Sequence, residues 1–340
     1  MILTAALLFA LAASSDDALP PIGTIDFYGL RTVSEAKARQ ALVLKEGASL
    51  PEGEEELRRT LSGARQRLIE SLGIDQARIE LVCCEAGKLT LYVGIDESGA
   101  PPTARWSAEP QGTARLPEEV LRAGRAFDEA LWRAVKEGDA AEERTAGHAL
   151  HHNPALRAID EQFVALATRD APLLRDVLHH SADAEHRALA AQVLAYAPDK
   201  PAIVDDLMDA AQDRAADVRN NAIRALGVMA EAGVTIPAQP FISRLDSIEW
   251  TDRNKASLLL GRLTEARDAA VLGRLCERSL PALAEMSRWK AAGHAVSAFF
   301  IMGRLAGLPE EDIEGAWTGG RREEVIEKAL RCGRRPRSLR

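Results

Sequence analysis

Histidine is the residue type in this chain whose spacing most suggests chemistry. Six of the seven histidines lie between His148 and His186. The pattern His148-x-x-His151-His152 would place two imidazole nitrogens one helical turn apart, a geometry that can bind a divalent metal. No clear third ligand, HExxH motif or nearby cysteine completes such a set. We therefore predict surface or cap histidines and no metal ligands, with metal or small-ligand binding by residues 148–186 as the alternative.

The chain has four cysteines, Cys83, Cys84, Cys276 and Cys332. They include no CxxC pair, which argues against zinc-ribbon and thioredoxin-like sites. Strand alternation points Cys83 into a core and Cys84 outward, so we interpret Cys83 as a small buried hydrophobe, with a vicinal disulfide as the alternative. Cys276 shares an apolar helical face with Leu272 and Leu275, and we predict a core position for it. The sequence leaves the disulfide state of all four open.

Motifs for an enzyme or a nucleic-acid partner are missing from the sequence. It contains no Gly-x-Ser-x-Gly and no glycine-rich phosphate loop, and its carboxylates fit solvated helical faces. A net charge of −8 and a pI near 5.5 argue against binding to phosphate backbones, which require a basic surface. We predict a noncatalytic protein with no cofactor.

Both ends of the chain differ in composition from its interior. Residues 1–19 begin with an uncharged apolar run that ends in small residues near Ala12, typical of a cleavable export signal. We predict a periplasmic or secreted protein that is soluble after cleavage, with an uncleaved anchor or a misassigned start as alternatives. Residues 331–340 are rich in arginine and predict a disordered tail, for which anionic lipid or an acidic partner is the alternative to solvent.

Residues 22–97 have the hydrophobic pattern strand, helix, helix, strand, strand. In the first strand Ile25 and Phe27 alternate with Asp26 and Tyr28, which predicts a sheet with one buried face. A mainly helical remainder follows, because the composition is rich in alanine and leucine and only 4% aromatic.

Four short motifs accompany this order of elements: Ile25-x-Phe27-x-Gly29, Lys45-x-Gly47, Gly73-Ile74 and Ile95-Asp96-Glu97. Together they resemble a POTRA domain. Such domains bind extended peptides by adding a strand to a sheet edge, so the resemblance implies that capacity here, with a spacer module as the alternative.

Residues 98–152 separate this module from the rest of the chain. Their first part is rich in proline, glycine and serine, which predicts a linker. A helical pattern from Pro117 to Val135 then predicts a lead-in helix that caps the following unit.

Internal repetition dominates residues 153–330. The pattern Arg-x-x-Ala-x-x-x-Leu-small occurs at residues 187–195, 219–227 and 253–261, at intervals of 32 and 34 residues (219 − 187 and 253 − 219). Each copy is followed by a second apolar stretch. Small residues at the same step of each copy let neighbouring helices approach closely, which predicts a stack of helical hairpins.

The stretch from Asp217 to Ala222 closely resembles HEAT repeats of the kind first noted in phycobilin lyases. The resemblance implies an α-solenoid over residues 153–330 whose concave face binds a protein or peptide. It also implies bonds between the recurring arginines and nearby aspartates. Because the candidate aspartates Asp183, Asp217 and Asp252 have unequal offsets, we do not expect a regular ladder.

Three tryptophans, Trp250, Trp289 and Trp317, lie near the ends of predicted repeat units. We predict that they fill caps, with anchoring of a partner as the alternative. The sequence as a whole predicts a noncatalytic exported scaffold or adaptor of unknown partner.

Overall fold

The computed structural model describes residues 19–97 and 106–332. The predicted leader before Leu19, the first part of the predicted linker and the predicted tail after Cys332 lie outside the described residues.

The N-terminal part of the chain is a three-stranded sheet with two helices. Its elements are β1 (Ile22–Tyr28), α1 (Glu35–Ala41), α2 (Glu54–Leu72), β2 (Gln76–Glu85) and β3 (Lys88–Asp96). Strand β3 is central, parallel to β1 and antiparallel to β2. Helix α2 ends at Gly73, whose φ of 64° is the left-handed conformation that glycine adopts without strain. The element order predicted from the sequence is thus present.

The prediction that this sheet has one buried face is wrong. Ile25 and Val93 pack with α1 and α2 on one face, whereas Tyr28 and Tyr92 on the other face pack into the core of the helical unit. Both tyrosines have no exposed surface. Asp26 and Tyr28 on alternate positions of β1 indicated a solvated face, but the helical unit covers that face.

The cysteine pair departs from strand alternation. The register between β2 and β3 shifts between Val82 and Glu85, and such an irregularity changes which way successive side chains point. Cys83 and Cys84 therefore both pack against the core formed with α1 and α2, and a disulfide joins them. The predicted opposite orientation is wrong.

The rest of the described chain is a stack of helices preceded by a short hairpin. The first members are α3 (Glu118–Glu137), β4 (Glu142–Glu143), β5 (Leu150–His151), α4 (Pro154–His180), α5 (Ala184–Leu194), α6 (Lys200–Ala210) and α7 (Ala216–Glu231). The later members are α8 (Gln239–Ile242), α9 (Trp250–Leu263), α10 (Ala269–Arg278), α11 (Leu280–Ser287), α12 (Ala292–Leu305), α13 (Glu310–Thr318) and α14 (Arg322–Ala329). The helices α5, α7 and α9, which carry the repeated motif, pack side by side.

A regular ladder of buried ion pairs connects successive units, contrary to the expectation from the sequence. Its three pairs are Arg187–Asp213, Arg219–Asp252 and Arg253–Glu285, with shortest N–O distances of 2.8, 2.8 and 3.0 Å. None of the predicted pairings is present: Asp213 and Glu285 were not predicted, and Asp252 pairs with Arg219 of the preceding unit rather than with Arg253. Asp183 instead caps α5, and Asp217 lies in the first turn of α7. The acid comes from the following unit, in a loop or helix whose position in the sequence varies.

Each ladder arginine also donates to the backbone carbonyl six residues before it. The three acceptors are Ser181, Asp213 and Ser247. The side chain of each acceptor residue in turn accepts a bond from the backbone N–H two residues later. The same small network thus fixes the start of α5, α7 and α9, which gives the three units the same orientation.

A second disulfide joins α10 to the end of the described chain. It links Cys276 and Cys332. Cys276 is buried as predicted, but it is a crosslink as well as a core residue. Among the helices of residues 19–97 and 106–332, none has the length and apolar character that crossing a bilayer requires.

Candidate binding groove

A groove of about 1050 Å³ runs along the motif-bearing helices α5, α7 and α9. Helix α3 and the β4–β5 hairpin form one wall, and the first turn of α12 lies at one end. Gly124 on α3 lies against Leu189 on α5, where a Cβ would come within 2.8 Å of the leucine methyl carbons. Because glycine has no side chain, α3 can approach the repeat helices closely at this position.

The groove is lined by the same three steps of each repeat helix, the first, second and fifth residues after the ladder arginine. These residues are Ala188, Leu189 and Gln192 on α5, Asn220, Asn221 and Arg224 on α7, and Asn254, Lys255 and Leu258 on α9. An α-helix turns about 100° per residue, so these steps lie about 100°, 200° and 140° around the axis from the arginine. The ladder and the groove therefore occupy different sides of the same helices.

Two asparagines at equivalent steps, Asn220 and Asn254, have unpaired carbonyl groups. Asn220 is 8% exposed and Asn254 is 1% exposed. The Oδ1 atom of each accepts no hydrogen bond from any residue the structure describes. A buried acceptor without a partner costs about 1–3 kcal/mol. Stability therefore does not explain these two carboxamides, and both residues line the groove.

Lys255, next to Asn254, is also buried, with 6% of its surface exposed. Its Nζ forms no hydrogen bond or ion pair with a residue in 19–97 or 106–332. Burial, together with the nearby Arg224 guanidinium, lowers the pKa of Lys255 to about 7. Lys255 is thus a buried amine that gains or loses its charge near pH 7.

Positive charge surrounds Lys255. Arg224 and Arg144 both pair with Glu142 of β4, and Arg144 also pairs with Glu231 at 2.8 Å. Although burial raises the pKa of Glu142, the two guanidiniums hold it at about 2. The two arginines balance the two carboxylates, so Lys255, when protonated, carries the unbalanced positive charge of this part of the groove and attracts an anion there.

Helix α3 carries a carboxyl of different character. Burial, then repulsion from Asp217, raises the pKa of Asp128 on α3 to about 7. Asp128 lies partly exposed along the groove. The groove is therefore cationic near α9 and carries a proton-sensitive carboxyl near α3.

The histidines predicted as a helical pair do not lie on a helix. His148 precedes β5 and His151 belongs to it, so the predicted one-turn spacing is wrong. The Nδ1 of His151 lies 2.9 Å from Asp160, and Tyr196 donates to the same buried carboxylate at 2.8 Å. Nδ1 of His148 lies 3.1 Å from Lys200 Nζ. These contacts fix the hairpin against α4 and against the segment from Tyr196 to Lys200 that joins α5 to α6.

The six clustered histidines separate into two groups. Three line the groove, namely His148, His151 and His186, and the others, His152, His179 and His180, lie outside it. In the described part of the chain, no three side chains of His, Cys, Asp or Glu are grouped so as to hold a metal ion.

The tryptophans have two different roles. Trp250 and Trp289 are buried and contact Tyr92, with ring centroids at 4.6 and 4.9 Å. They therefore anchor the N-terminal sheet of the same chain, which is neither of the roles weighed from the sequence. Trp317 packs on Phe299 in the C-terminal cap, as predicted.

Sequence reasoning did not single out Asn220, Asn254 or Lys255. A signal was available: the repeats agree at the arginine, alanine and leucine steps, whereas the two steps after the arginine carry Ala-Leu, Asn-Asn and Asn-Lys. Residues that a repeat needs for stacking recur in every unit, whereas residues that face a ligand need not recur.

Comparison with known proteins supports the repeat assignment. Residues 171–247 match the family model described as HEAT repeats, a segment from the middle of α4 to the loop after α8. The helices are arranged as in a HEAT solenoid, so the predicted fold class is confirmed. No curated protein matches the chain. The likeness to POTRA domains and to the lyase type of repeat stays a prediction.

Proposed function

We propose that this protein is a noncatalytic scaffold that binds a protein or peptide in the groove of its HEAT-like solenoid. The observation that carries the proposal is the lining of the groove. Equivalent steps of successive helices present buried polar atoms without partners, a repeated arrangement that suits an extended macromolecular ligand.

Two exposed leucines allow a controlled test of this function. Leu258 lines the groove and is 42% exposed, whereas Leu173 on α4 is 37% exposed and lies outside the groove. Replacing either with arginine leaves the core intact. In affinity purification from cells that express the protein, Leu258→Arg should lose a stoichiometric partner that Leu173→Arg retains. Equal retention by both variants would contradict a role for the groove.

Export is part of the proposal. The apolar leader predicts it, and two disulfides in one chain are typical of oxidising compartments. Mass spectrometry of the protein recovered from the producing cells should find a mature N-terminus near residue 13 in an extracytoplasmic fraction. An intact Met1 on cytoplasmic protein would contradict it.

Strand addition by the N-terminal sheet, implied by its likeness to POTRA domains, would use the outer edge of β2. At the outer edge of β1, backbone bonds join Ile22 to Gly47 and Ala48. Strand β2 has β3 as its neighbour, and no other described strand pairs with it. A proline at a solvent-facing N–H of β2 should therefore abolish such binding if it occurs.

The alternative function is an accessory subunit that binds a metal or small ligand through residues 148–186. The observation in its favour is that His148, His151 and His186 line the groove. Elemental analysis of the purified protein separates the two functions, because only the alternative predicts stoichiometric metal that is lost in His151→Ala.

A further inference from the structure

We propose that the occupant of the groove is an extended peptide segment, bound through its backbone by Asn220 and Asn254, with a carboxylate of the peptide at Lys255. This inference builds on the proposed function and specifies the class of partner. It follows from three features: the chemistry of the unpaired groups, their spacing and the local charge.

The unpaired groups match those of a peptide backbone. A carboxamide accepts through Oδ1 and donates through Nδ2, and a peptide unit offers one N–H and one C=O. The Oδ1 atoms of Asn220 and Asn254 are buried acceptors without a described donor. A peptide N–H directed at each Oδ1 would satisfy both. Side-chain apolar contacts are available from Leu189 and Leu258, which line the same groove.

The spacing favours one backbone conformation. Asn220 and Asn254 occupy the same step on adjacent packed helices, α7 and α9, and packed helices lie about 8–10 Å apart. A polyproline II segment has three residues per turn and rises about 3.1 Å per residue, so residues i and i+3 face the same side about 9 Å apart. Its backbone groups form no internal hydrogen bonds. A β-strand repeats at about 6.6 Å and matches the helix spacing less well.

The charge near Lys255 indicates which group of the peptide binds there. Lys255, Arg224 and Arg144 outnumber the carboxylates of Glu142 and Glu231. A carboxylate at Lys255 Nζ would complete the charge balance and form a charge-assisted bond in a site removed from water. The C-terminus of a peptide and an Asp or Glu side chain offer the same group. Lys255 directly follows Asn254, so one segment can meet both.

The inference is testable with a defined probe. An mRNA-displayed library of random dodecapeptides is selected on immobilised full-length protein, and enriched peptides are synthesised and titrated by calorimetry. We expect saturable binding that Leu258→Arg abolishes and Leu173→Arg preserves. Failure to enrich any peptide above a protein-free support would overturn the inference.

Backbone recognition is tested on the peptide as well as on the protein. Single N-methylation at two positions three residues apart should each weaken binding at least tenfold. Asn254→Ala and Asn220→Ala should cause a similar loss. Each of these two variants lacks one acceptor. Methylation of the peptide N–H that this acceptor binds in the wild type should not weaken binding to the variant any further. Binding that tolerates N-methylation at every position overturns the proposal even if an asparagine variant fails to fold.

The carboxylate is tested with amidated peptides. C-terminal amidation removes the terminal carboxylate, and Glu→Gln or Asp→Asn replacements remove a side-chain carboxylate. One of these changes should weaken binding of the peptide to the wild type at least tenfold. Lys255→Gln should remove that difference, whereas Lys328→Gln, on the exposed surface of α14, should keep it. No dependence on any carboxylate would refute the role of Lys255.

The peptide inference and the scaffold function fail in different ways. Loss of the purified partner in Leu258→Arg, without any enriched peptide, would refute the peptide inference and leave the scaffold function standing. Retention of the partner in Leu258→Arg would refute both.

Discussion

The repeat helices have a ladder side, which carries the paired arginines, and a groove side, which carries the residues that line the groove. The two sides differ in how their polar groups are paired. On the ladder side, Arg187, Arg219 and Arg253 are the same residue in every unit, and each bonds both a carboxylate and a carbonyl. On the groove side, the residue after the arginine is alanine in one unit and asparagine in the other two, and Asn220 and Asn254 keep buried acceptors unpaired. Neighbouring residues in the sequence thus serve different purposes, because one step along a helix is about 100° of rotation.

This difference separates stability from binding. Paired groups on the ladder side stabilise the stack, and their loss should affect folding first. Unpaired groups on the groove side cost stability, and such costs are characteristic of functional sites. Removing a paired group of the ladder and removing an unpaired group of the groove should therefore have opposite effects on the free energy of unfolding.

The largest effect is expected from the centre of the ladder. Arg219→Ala leaves the carboxylate of Asp252, which has no exposed surface, without its bidentate partner. Removing one member of a buried ion pair costs about 3–5 kcal/mol, so the free energy of unfolding in urea should fall by about that amount. Peptide affinity should change less than threefold under conditions where the variant is folded.

A matched arginine provides the control. Arg262 on α9 pairs with Glu265, and both side chains are more than 40% exposed. Such pairs contribute about 0–1 kcal/mol. If Arg262→Ala were as destabilising as Arg219→Ala, burial in the ladder would not be the cause.

The fold was largely predictable, because it follows from repetition. The motif at Arg187, Arg219 and Arg253 predicts helices that stack in register, and they do. The ladder partners were not predictable in the same way. Asp213 precedes α7, Asp252 lies inside α9 and Glu285 lies in α11, so their offsets reflect loop lengths rather than a periodic pattern.

The docking of the N-terminal sheet was not predictable from alternation. The alternation of Tyr28 with Ile25 and Phe27 indicated an outer face, because tyrosine is common on surfaces as well as in cores. In the structure the hydroxyl of Tyr28 donates to the carbonyl of Ile248 at 2.7 Å, and that of Tyr92 lies 2.8 Å from His294. Such contacts depend on residues more than 200 positions away in the sequence. The candidate site was missed for a similar reason, since which helix face meets the groove depends on how the units pack.

A second variant tests whether the ladder needs support from outside the repeats. The ring of Trp106 lies between two guanidinium groups, 3.7 Å from Arg219 Cζ and 4.1 Å from Arg244 Cζ. Nε and Nη1 of Arg244 have no partner in the described chain. Trp106→Ala should lower the free energy of unfolding by about 2 kcal/mol, since desolvated cation–π contacts contribute up to about that amount each.

Trp106→Phe is the conservative control. It keeps an aromatic face between the two cations and should recover at least half of the loss in the same urea titration. Equal loss in both variants would show that packing volume, rather than the aromatic face, supports the ladder.

The free-energy penalty for burying Lys255 in the groove depends on pH. Its pKa is about 7 in the folded protein and about 10.4 in an unfolded chain. Below pH 7 both states carry the charge, so the penalty for burying it is fully present. Above pH 7 the folded state loses the proton first, and the penalty shrinks as pH rises toward 10.

The measurement is the difference in unfolding free energy between the wild type and Lys255→Met from pH 6 to pH 9. The difference should favour the variant at pH 6 and move toward the wild type above pH 7, by at most about 1.4 kcal/mol per pH unit. The subtraction removes the opposing contribution of Glu285, whose pKa is raised to about 7 mainly by burial. A difference independent of pH would mean that Lys255 keeps its charge when folded.

The smallest effect is expected at Asn254 and has the opposite sign to that at the ladder. Asn254→Leu removes a buried acceptor that has no described partner, so the free energy of unfolding should stay the same or rise by up to about 1 kcal/mol. Asn221→Leu is the matched control, because Asn221 donates to the carbonyl of Ala188 at 2.9 Å, and losing that bond should cost about 1 kcal/mol. Calorimetric melting of the two variants compares a groove residue that is unpaired with one that is paired. If Asn254→Leu were the more destabilising of the two, its carboxamide would serve the fold, and the division between the two sides of the helix would fail at the residue on which the binding proposal depends most.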